Sequence, residues 1–260
     1  NELKQQLLAV LEQARQGKQP QNGVPSAEAL GKAERLAIDY GDLDELVKRG
    51  ERAFKGLEAD PSSNPWQALQ AHSVFRGSGA PGKLAFMFPG QGSQYVNMLK
   101  DLCAAEPLVA ETFAEADRVM EPILGRPLTS YIYVEGDEAL LAEAEKALRN
   151  TEITQPALLT ANVAILRLMG KFGFQPELVI GHSLGEYAAL VAAGVLTFAE
   201  ALQVVSARGR EMKRVSVADN GCMAAVSAPL AQVEDILKSV KEYVVLANIN
   251  SPVQSVIGGS

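Results

Sequence analysis

A short apolar run, Glu177-Leu-Val-Ile180, leads into Gly181-His-Ser183-Leu-Gly185 and on into Glu186-Tyr-Ala-Ala-Leu190. An apolar strand, G-x-S-x-G and a helix-forming segment make the sequence form of a nucleophile elbow. The two glycines permit a tight strand-to-helix turn that holds Ser183 in a strained backbone and leaves its hydroxyl exposed at the carboxyl edge of a sheet. The Leu184 amide then points from a helix N-terminus at the oxyanion formed when Ser183 attacks a carbonyl. Acyl transfer through a covalent serine ester is the chemistry this arrangement suits. The bare pattern also arises in ordinary glycine-rich loops; the strand before it and the helix after it argue for the elbow.

Three further places carry chemistry. Phe88-Pro-Gly90-Gln91-Gly92-Ser-Gln94 directly follows an apolar strand, at the carboxyl end where α/β sheets place their sites. Its Gln91 amide is read as a second oxyanion donor facing Leu184, the other reading being a plain Gly/Pro turn. Arg208 falls at the edge of the apolar stripe Phe198, Ala201, Leu202, Val205, Met212, with Arg210, Lys213 and Arg214 on the opposite side. A guanidinium there needs an anion, either a structural Asp or Glu or a substrate carboxylate held by two hydrogen bonds. Of the two histidines, His182 adjoins the nucleophile but is expected to point away from its hydroxyl, as a wall or positioning group, and His72 is expected on the surface. A general base for Ser183 is not evident.

These residues need an α/β scaffold, and the pattern supplies one. Lys83-Leu-Ala-Phe-Met-Phe88 has strand length and is apolar throughout, as in a parallel sheet buried on both faces. A helix is expected from Pro156, with proline in the first turn, to Leu168, then the strand at 177–180, the elbow helix, and a helix opened by the capping box Thr197-Phe-Ala-Glu200. Four segments follow from the sequence: an N-terminal amphipathic helix (2–16) and Pro20–Pro25 linker in 1–34; a small βα module in 35–82, with a strand at 35–40 and a helix at 44–57; the core in 83–220; and in 221–260 short β-α-β-β units, with strands at 223–227, 244–249 and 254–258 and a helix at 230–240. The fold class is α/β, with unpaired strand edges and an uncovered apolar face expected in the last segment and in the core sheet.

With 260 residues, 47% hydrophobic and 21% charged, the chain reads as globular, and its net charge of −7 excludes a nucleic-acid surface built on clustered Lys and Arg. Two distant cysteines, Cys103 and Cys222, indicate neither a disulfide framework nor a zinc site and suit a reducing, cytoplasmic setting. Ala188–Leu196, the longest apolar stretch, is too short to span a bilayer. A first residue of Asn1 suggests a piece of a longer polypeptide.

Five segments in order, Phe88–Gln94, Thr154-Gln-Pro-Ala-Leu-Leu-Thr160, Gly181–Glu186, Ala207-Arg-Gly-Arg210 and Asn248-Ile-Asn-Ser-Pro252, resemble the motifs of malonyl-CoA:acyl carrier protein transacylases and of the acyltransferase domains of polyketide and fatty acid synthases. The resemblance covers about 83–260; the stretch before it is similar to the linker joining a ketosynthase to its acyltransferase, with a weaker likeness to polyunsaturated fatty acid synthases. It implies an α/β-hydrolase-like parallel core with an inserted, here incomplete, ferredoxin-like subdomain. It implies that Ser183 takes the acyl group from coenzyme A, with Gln91 and Leu184 as oxyanion donors and Arg208 gripping the malonyl carboxylate. Gln155, His182, Met212 and Asn250 match pocket-lining positions, and Leu184 in the variable elbow position is similar to malonyl-selecting members. The partners implied are malonyl-CoA, the phosphopantetheine of an acyl carrier protein and a neighbouring ketosynthase, with no bound cofactor, metal, nucleic acid or membrane. The family's base is a histidine in an H-S-P-like segment, which would fall after Ser260. Other readings of the residues are a serine thioesterase or hydrolase, or an inactive docking piece of a synthase.

Overall fold

The computed structural model describes residues 2–20, 26–59, 64–80, 82–214 and 221–259. The expected linker at 20–25 lies, apart from Pro20, outside the described residues.

The N-terminal part has its own core. The stripe Leu7, Leu11, Ala14 of α1 (Glu2–Arg15) is buried against α3 (Leu43–Gly56), where a Cβ on Gly50 would run into Leu11. Between them come α2 (Ala27–Leu30) and β1 (Glu34–Ile38), and after them α4 (Asn64–Gln70) and β2 (Val74–Ser78). β1 and β2 pair antiparallel, Glu34 opposite Ser78 and Ile38 opposite Val74. The sequence reading of a βα unit at 35–82 is therefore corrected: a second strand and the Trp66 helix complete a two-stranded sheet. Trp66 is fully buried, and its Nε1 donates to the Gly56 carbonyl at 2.9 Å. His72 is exposed, as expected.

A second, larger core holds the elbow. β3 (Ala85–Phe88) and β4 (Leu178–Gly181) pair in parallel, Ala85 opposite Leu178 and Phe88 opposite Gly181. The connection between them runs through α5 (Lys100–Ala105), α6 (Pro107–Leu124), α7 (Thr129–Ile132), α8 (Glu138–Leu148) and α9 (Thr151–Lys171). α9 is apolar on most sides and buried along most of its length, against α6 and against α11 (Phe198–Arg214), while α10 (Gly185–Ala192) packs on both strands. The expectation that β3 is buried on both faces fails: Phe86 and Phe88 face the helices, whereas Met87 is 79% exposed and Leu178 and Ile180 are also exposed. Helices cover one face of the pair, so its burial alternates with the pleat despite a continuous apolar sequence.

The start expected at Pro156 is also corrected, since α9 begins at Thr151 with proline in its interior. Thr154 Oγ1 donates to the carbonyls of Leu148 and Asn150 at 2.5 and 3.0 Å, holding the early turn. Gly209 of α11 lies directly on that turn; a Cβ there would be 2.8 Å from Glu152 Cα and from the Thr151 carbonyl.

The last elements are β5 (Cys222–Val226), α12 (Leu230–Ser239), β6 (Val244–Ser251) and β7 (Gln254–Gly259), an antiparallel sheet in the order β5-β7-β6. Val233 is the buried residue of α12, while Met223, Ile236 and Tyr243 are exposed. Among the described residues no helix is long and apolar enough to cross a membrane, and no group of three or more His, Cys, Asp or Glu is gathered where it could hold a metal.

Candidate functional site

The elbow is set by backbone approach. Ser183 has φ +51°, a left-handed conformation that costs a non-glycine residue of order 1 kcal/mol or more and that the surroundings must impose. They do so through the flanking glycines: a Cβ on Gly181 would run into the backbone of Gly185 and Glu186, and one on Gly185 into the carbonyl of Phe88. Leu184 is 1% exposed and anchors the turn in the core beneath. The amides of Gly185, Glu186 and Tyr187 bond to carbonyls three residues back, at 2.9, 3.1 and 3.2 Å. The Leu184 amide has no such acceptor and is the donor left at the helix start.

The glycine loop after β3 lies against this turn. The His182 amide donates to the Phe88 carbonyl at 3.0 Å, and a Cβ on Gly90 would be 2.6 Å from the His182 carbonyl and 3.2 Å from its Nδ1. Within the loop the Gly92 amide donates to Gln94 Oε1 at 2.8 Å and Ser93 Oγ to the Gly90 carbonyl at 3.1 Å. Asn162 of α9, which sequence reasoning missed, donates to the Pro89 carbonyl at 3.4 Å. Gln91 is exposed at the tip of this loop, one residue beyond the Gly90 contact.

α11 brings in Arg208. Its helix opens on the expected capping box: the Glu200 amide donates to Thr197 Oγ1 at 3.2 Å, and the Thr197 amide and hydroxyl donate to Glu200 Oε2 at 2.8 and 2.7 Å, which hold the Glu200 carboxyl below its ordinary range. Arg208 Nη2 donates to Ser183 Oγ at 3.5 Å, while Nη1 is buried with no hydrogen-bond partner. Among the described residues Arg208 makes no ion pair.

Gly181, His182, Ser183, Glu186, Tyr187 and Arg208 line one side of a cleft of about 390 Å³, and Asn248, Ile249 and Asn250 of β6 line the other. His182 Nε2 and Asn250 Oδ1 meet across it at 3.2 Å. Ser183, His182, Arg208 and Asn250 are thus brought together. Gln155 and Met212 are not among the residues lining this cleft: Gln155 is fully buried in α9 and its Nε2 donates to Met212 Sδ at 3.4 Å. Met212, expected within the apolar stripe, is 41% exposed at the end of α11. Glu186, Tyr187 and Asn248 were missed as lining residues, although a helical turn from Ser183 and a two-residue step along a strand from Asn250 would have found them.

The chain matches the model of the acyl transferase domain over residues 85–260. It is 43% identical over 182 residues to the malonyl CoA-acyl carrier protein transacylase of Bacillus subtilis, covering 68% of this chain and 54% of that protein. It is 35% identical over 227 residues to the spectinabilin polyketide synthase system protein NorB of Streptomyces orinoci, covering 87% of this chain and 10% of that one. Among solved structures it resembles the acyltransferase domain from the second module of the salinomycin polyketide synthase, with a TM-score of 0.69 and 31% identity, over 87% of this chain and 48% of that one. The chain therefore spans about half the length of the transacylase it matches.

Proposed function

This chain belongs to the acyl transferase domain family, and from that premise we propose that its site loads a malonyl group from coenzyme A onto an acyl carrier protein. Ser183 Oγ attacks the thioester carbonyl, the amides of Leu184 and Gln91 receive the oxyanion, and the C–S bond breaks to release coenzyme A with the serine proton. The carrier's phosphopantetheine thiol then attacks the ester, forming a new thioester and returning the proton to Ser183 Oγ. The observation that carries the reading is the buried, unpartnered Nη1 of Arg208 on the guanidinium that touches Ser183. A buried cationic donor without an acceptor costs free energy, and a malonyl carboxylate beside the serine ester removes that cost.

Gln155 bonds to Met212, one turn along α11 from Arg208, and His182 on the elbow side meets Asn250 of the opposite wall. His182 is not read as the base, because its Nε2 faces Asn250 and its Nδ1 faces Gly90. The base is read as a histidine outside these 260 residues, as the family resemblance implies. A thioesterase would share the elbow, but it has no need of a cation beside the nucleophile.

The finer architecture is read in the same way. The β5-α12-β6-β7 order, antiparallel with β7 in the centre, supports the opening of a ferredoxin-like subdomain at 221–260. The elbow on a parallel pair supports an α/β-hydrolase-like core at 83–220, with 1–34 and 35–82 as the linker to a ketosynthase in a cytoplasmic synthase.

Intact-mass measurement of the full-length protein, base histidine included, after incubation with malonyl-CoA tests the reaction. One malonyl adduct is expected, absent in Ser183→Ala; labelling that survives this substitution overturns the reading.

A further inference from the structure

The cations in the second half of α11 are shared out among partners. Arg214 pairs with Glu211 at 2.8 Å, Lys213 with Glu152 of α9 at 2.6 Å, and Arg210 Nη1 donates to Ser206 Oγ at 2.8 Å. Arg208, the cation that reaches Ser183, has no carboxylate among the described residues, and its Nη1 is buried without a partner.

Glu152 lies beside it all the same. A Cβ on Gly209 would be 2.8 Å from Glu152 Cα, so the backbones of α9 and α11 touch at Gly209, the chain neighbour of Arg208. Glycine puts no side chain between the two. Lys213 lies four residues past Gly209 on the same face of α11, and its Nζ holds the Glu152 carboxylate at that end of the helix. The Glu152 side chain is 25% exposed and sits in the first turn of α9, where the helix dipole favours its charge. Without the ammonium, this half-shielded carboxylate and the guanidinium would each supply the partner that the other lacks.

We propose that Lys213 is a specificity-determining residue for acyl transfer: by holding Glu152 on its own ammonium, it keeps that carboxylate off Arg208 and leaves the guanidinium free for an acyl group that carries a carboxylate. The inference rests on the acyltransferase reading above. Glu152 is in effect a tethered competitor of the substrate, with the same chemistry for the same cation. Tethering gives it a high effective concentration, so even a weak pairing with Arg208 displaces substrate.

Lys213→Met in the full-length protein removes the ammonium and keeps an apolar stem. The half-saturating malonyl-CoA concentration for Ser183 acylation rises about fivefold, the scale of one partly exposed ion pair, and that for acetyl-CoA changes by less than about twofold. Adding Glu152→Gln to Lys213→Met removes the competing charge and restores the malonyl value. A loss caused by a loosened crossing of α9 and α11 would not be restored, because the double variant still lacks the ion pair. The crystal structure of Lys213→Met reads the placement directly, with the Glu152 carboxylate within hydrogen-bond distance of Arg208. An unchanged malonyl value or an equal rise with acetyl-CoA overturns the proposal. So does a loss that persists in the double variant, as it would if Glu186 of the cleft were the carboxylate that turns to Arg208, and so does a Glu152 that stays away from Arg208 in the crystal. If the unaltered protein takes up no malonyl group, the functional reading fails, while the crystal structure still decides whether Lys213 holds Glu152 off Arg208.

Discussion

The two walls of the cleft end on tight turns but are held by different forces. On the nucleophile side, Gly181 and Gly185 leave no space for a Cβ, and Leu184 and Ala188 are buried below them. On the other side, Asn248 and Asn250 are exposed, Val253 at the turn is 60% exposed, and a histidine–asparagine–glutamine chain makes the connection. Backbone packed against backbone has no low-energy alternative, whereas hydrogen-bonded amides can rotate. The Ser183 hydroxyl is thus carried by the wall that cannot adjust, and the opposite wall of the cleft is the adjustable one.

The largest test of that contrast is Gly185→Ala. Its methyl would run into the Phe88 carbonyl, so either the elbow or β3 must move, and stability falls by about 3 kcal/mol or more in urea unfolding. Val253→Ala, at the tip of the other wall, changes stability by less than about 0.5 kcal/mol. Equal losses in the two variants would remove the distinction between the walls.

Arg208→Ala comes next and separates function from stability. Malonyl loading falls about a hundredfold, the scale of a charge-assisted pair, while transfer of uncharged acetyl rises relative to it. Because Nη1 is buried without a partner, the melting temperature stays level or rises. A parallel loss of malonyl and acetyl transfer would show that Arg208 is not a carboxylate clamp.

How much of this was legible in the sequence follows the same contrast. The elbow could be read locally because a close backbone approach demands glycine at fixed positions, and the capping box because Thr197 and Glu200 bond within one turn. The helices between Lys100 and Leu148 carry no chemical motif and were not read, although Phe113 and Met120 are fully buried there. Pro156 gave the wrong start for α9 because a proline preference at the first turn is statistical, and here Thr154 and the contact with Gly209 hold an earlier turn. Gln155 and Met212 match pocket positions by resemblance, but in the fold they bond to each other and do not line the cleft.

Gly209→Ala asks whether the position of Arg208 depends on the close crossing of α11 over α9. The added methyl would sit 2.8 Å from Glu152 Cα and the Thr151 carbonyl, both backbone atoms. The helices must separate, at about 1–3 kcal/mol, and the malonyl-to-acetyl preference falls with the displacement of the neighbouring Arg208. A normal preference in a destabilised protein would show that the guanidinium is placed by its own contacts and not by the crossing.

The smallest expected effect lies at the far end of the same helix. Thr197→Ala removes the hydroxyl that accepts from the Glu200 amide and donates to Glu200 Oε2, leaving the reciprocal bond from the Thr197 amide. The melting temperature falls by roughly 2–4 °C, the scale of a lost cap in a chain of this size. Its pH dependence has a definite sign. The Glu200 carboxyl is held below its ordinary range by the Thr197 hydroxyl and then by the Thr197 amide, so its contribution is present above the unfolded carboxylate range and fades as pH falls through the folded value. The gap between Thr197→Ala and the unaltered protein therefore narrows on acidification. Arg208 lies three turns along α11 from this cap, so the malonyl-to-acetyl preference stays unchanged; a shift in that preference would show that the nucleophile-side wall gives way at its end and is less rigid than its glycines imply.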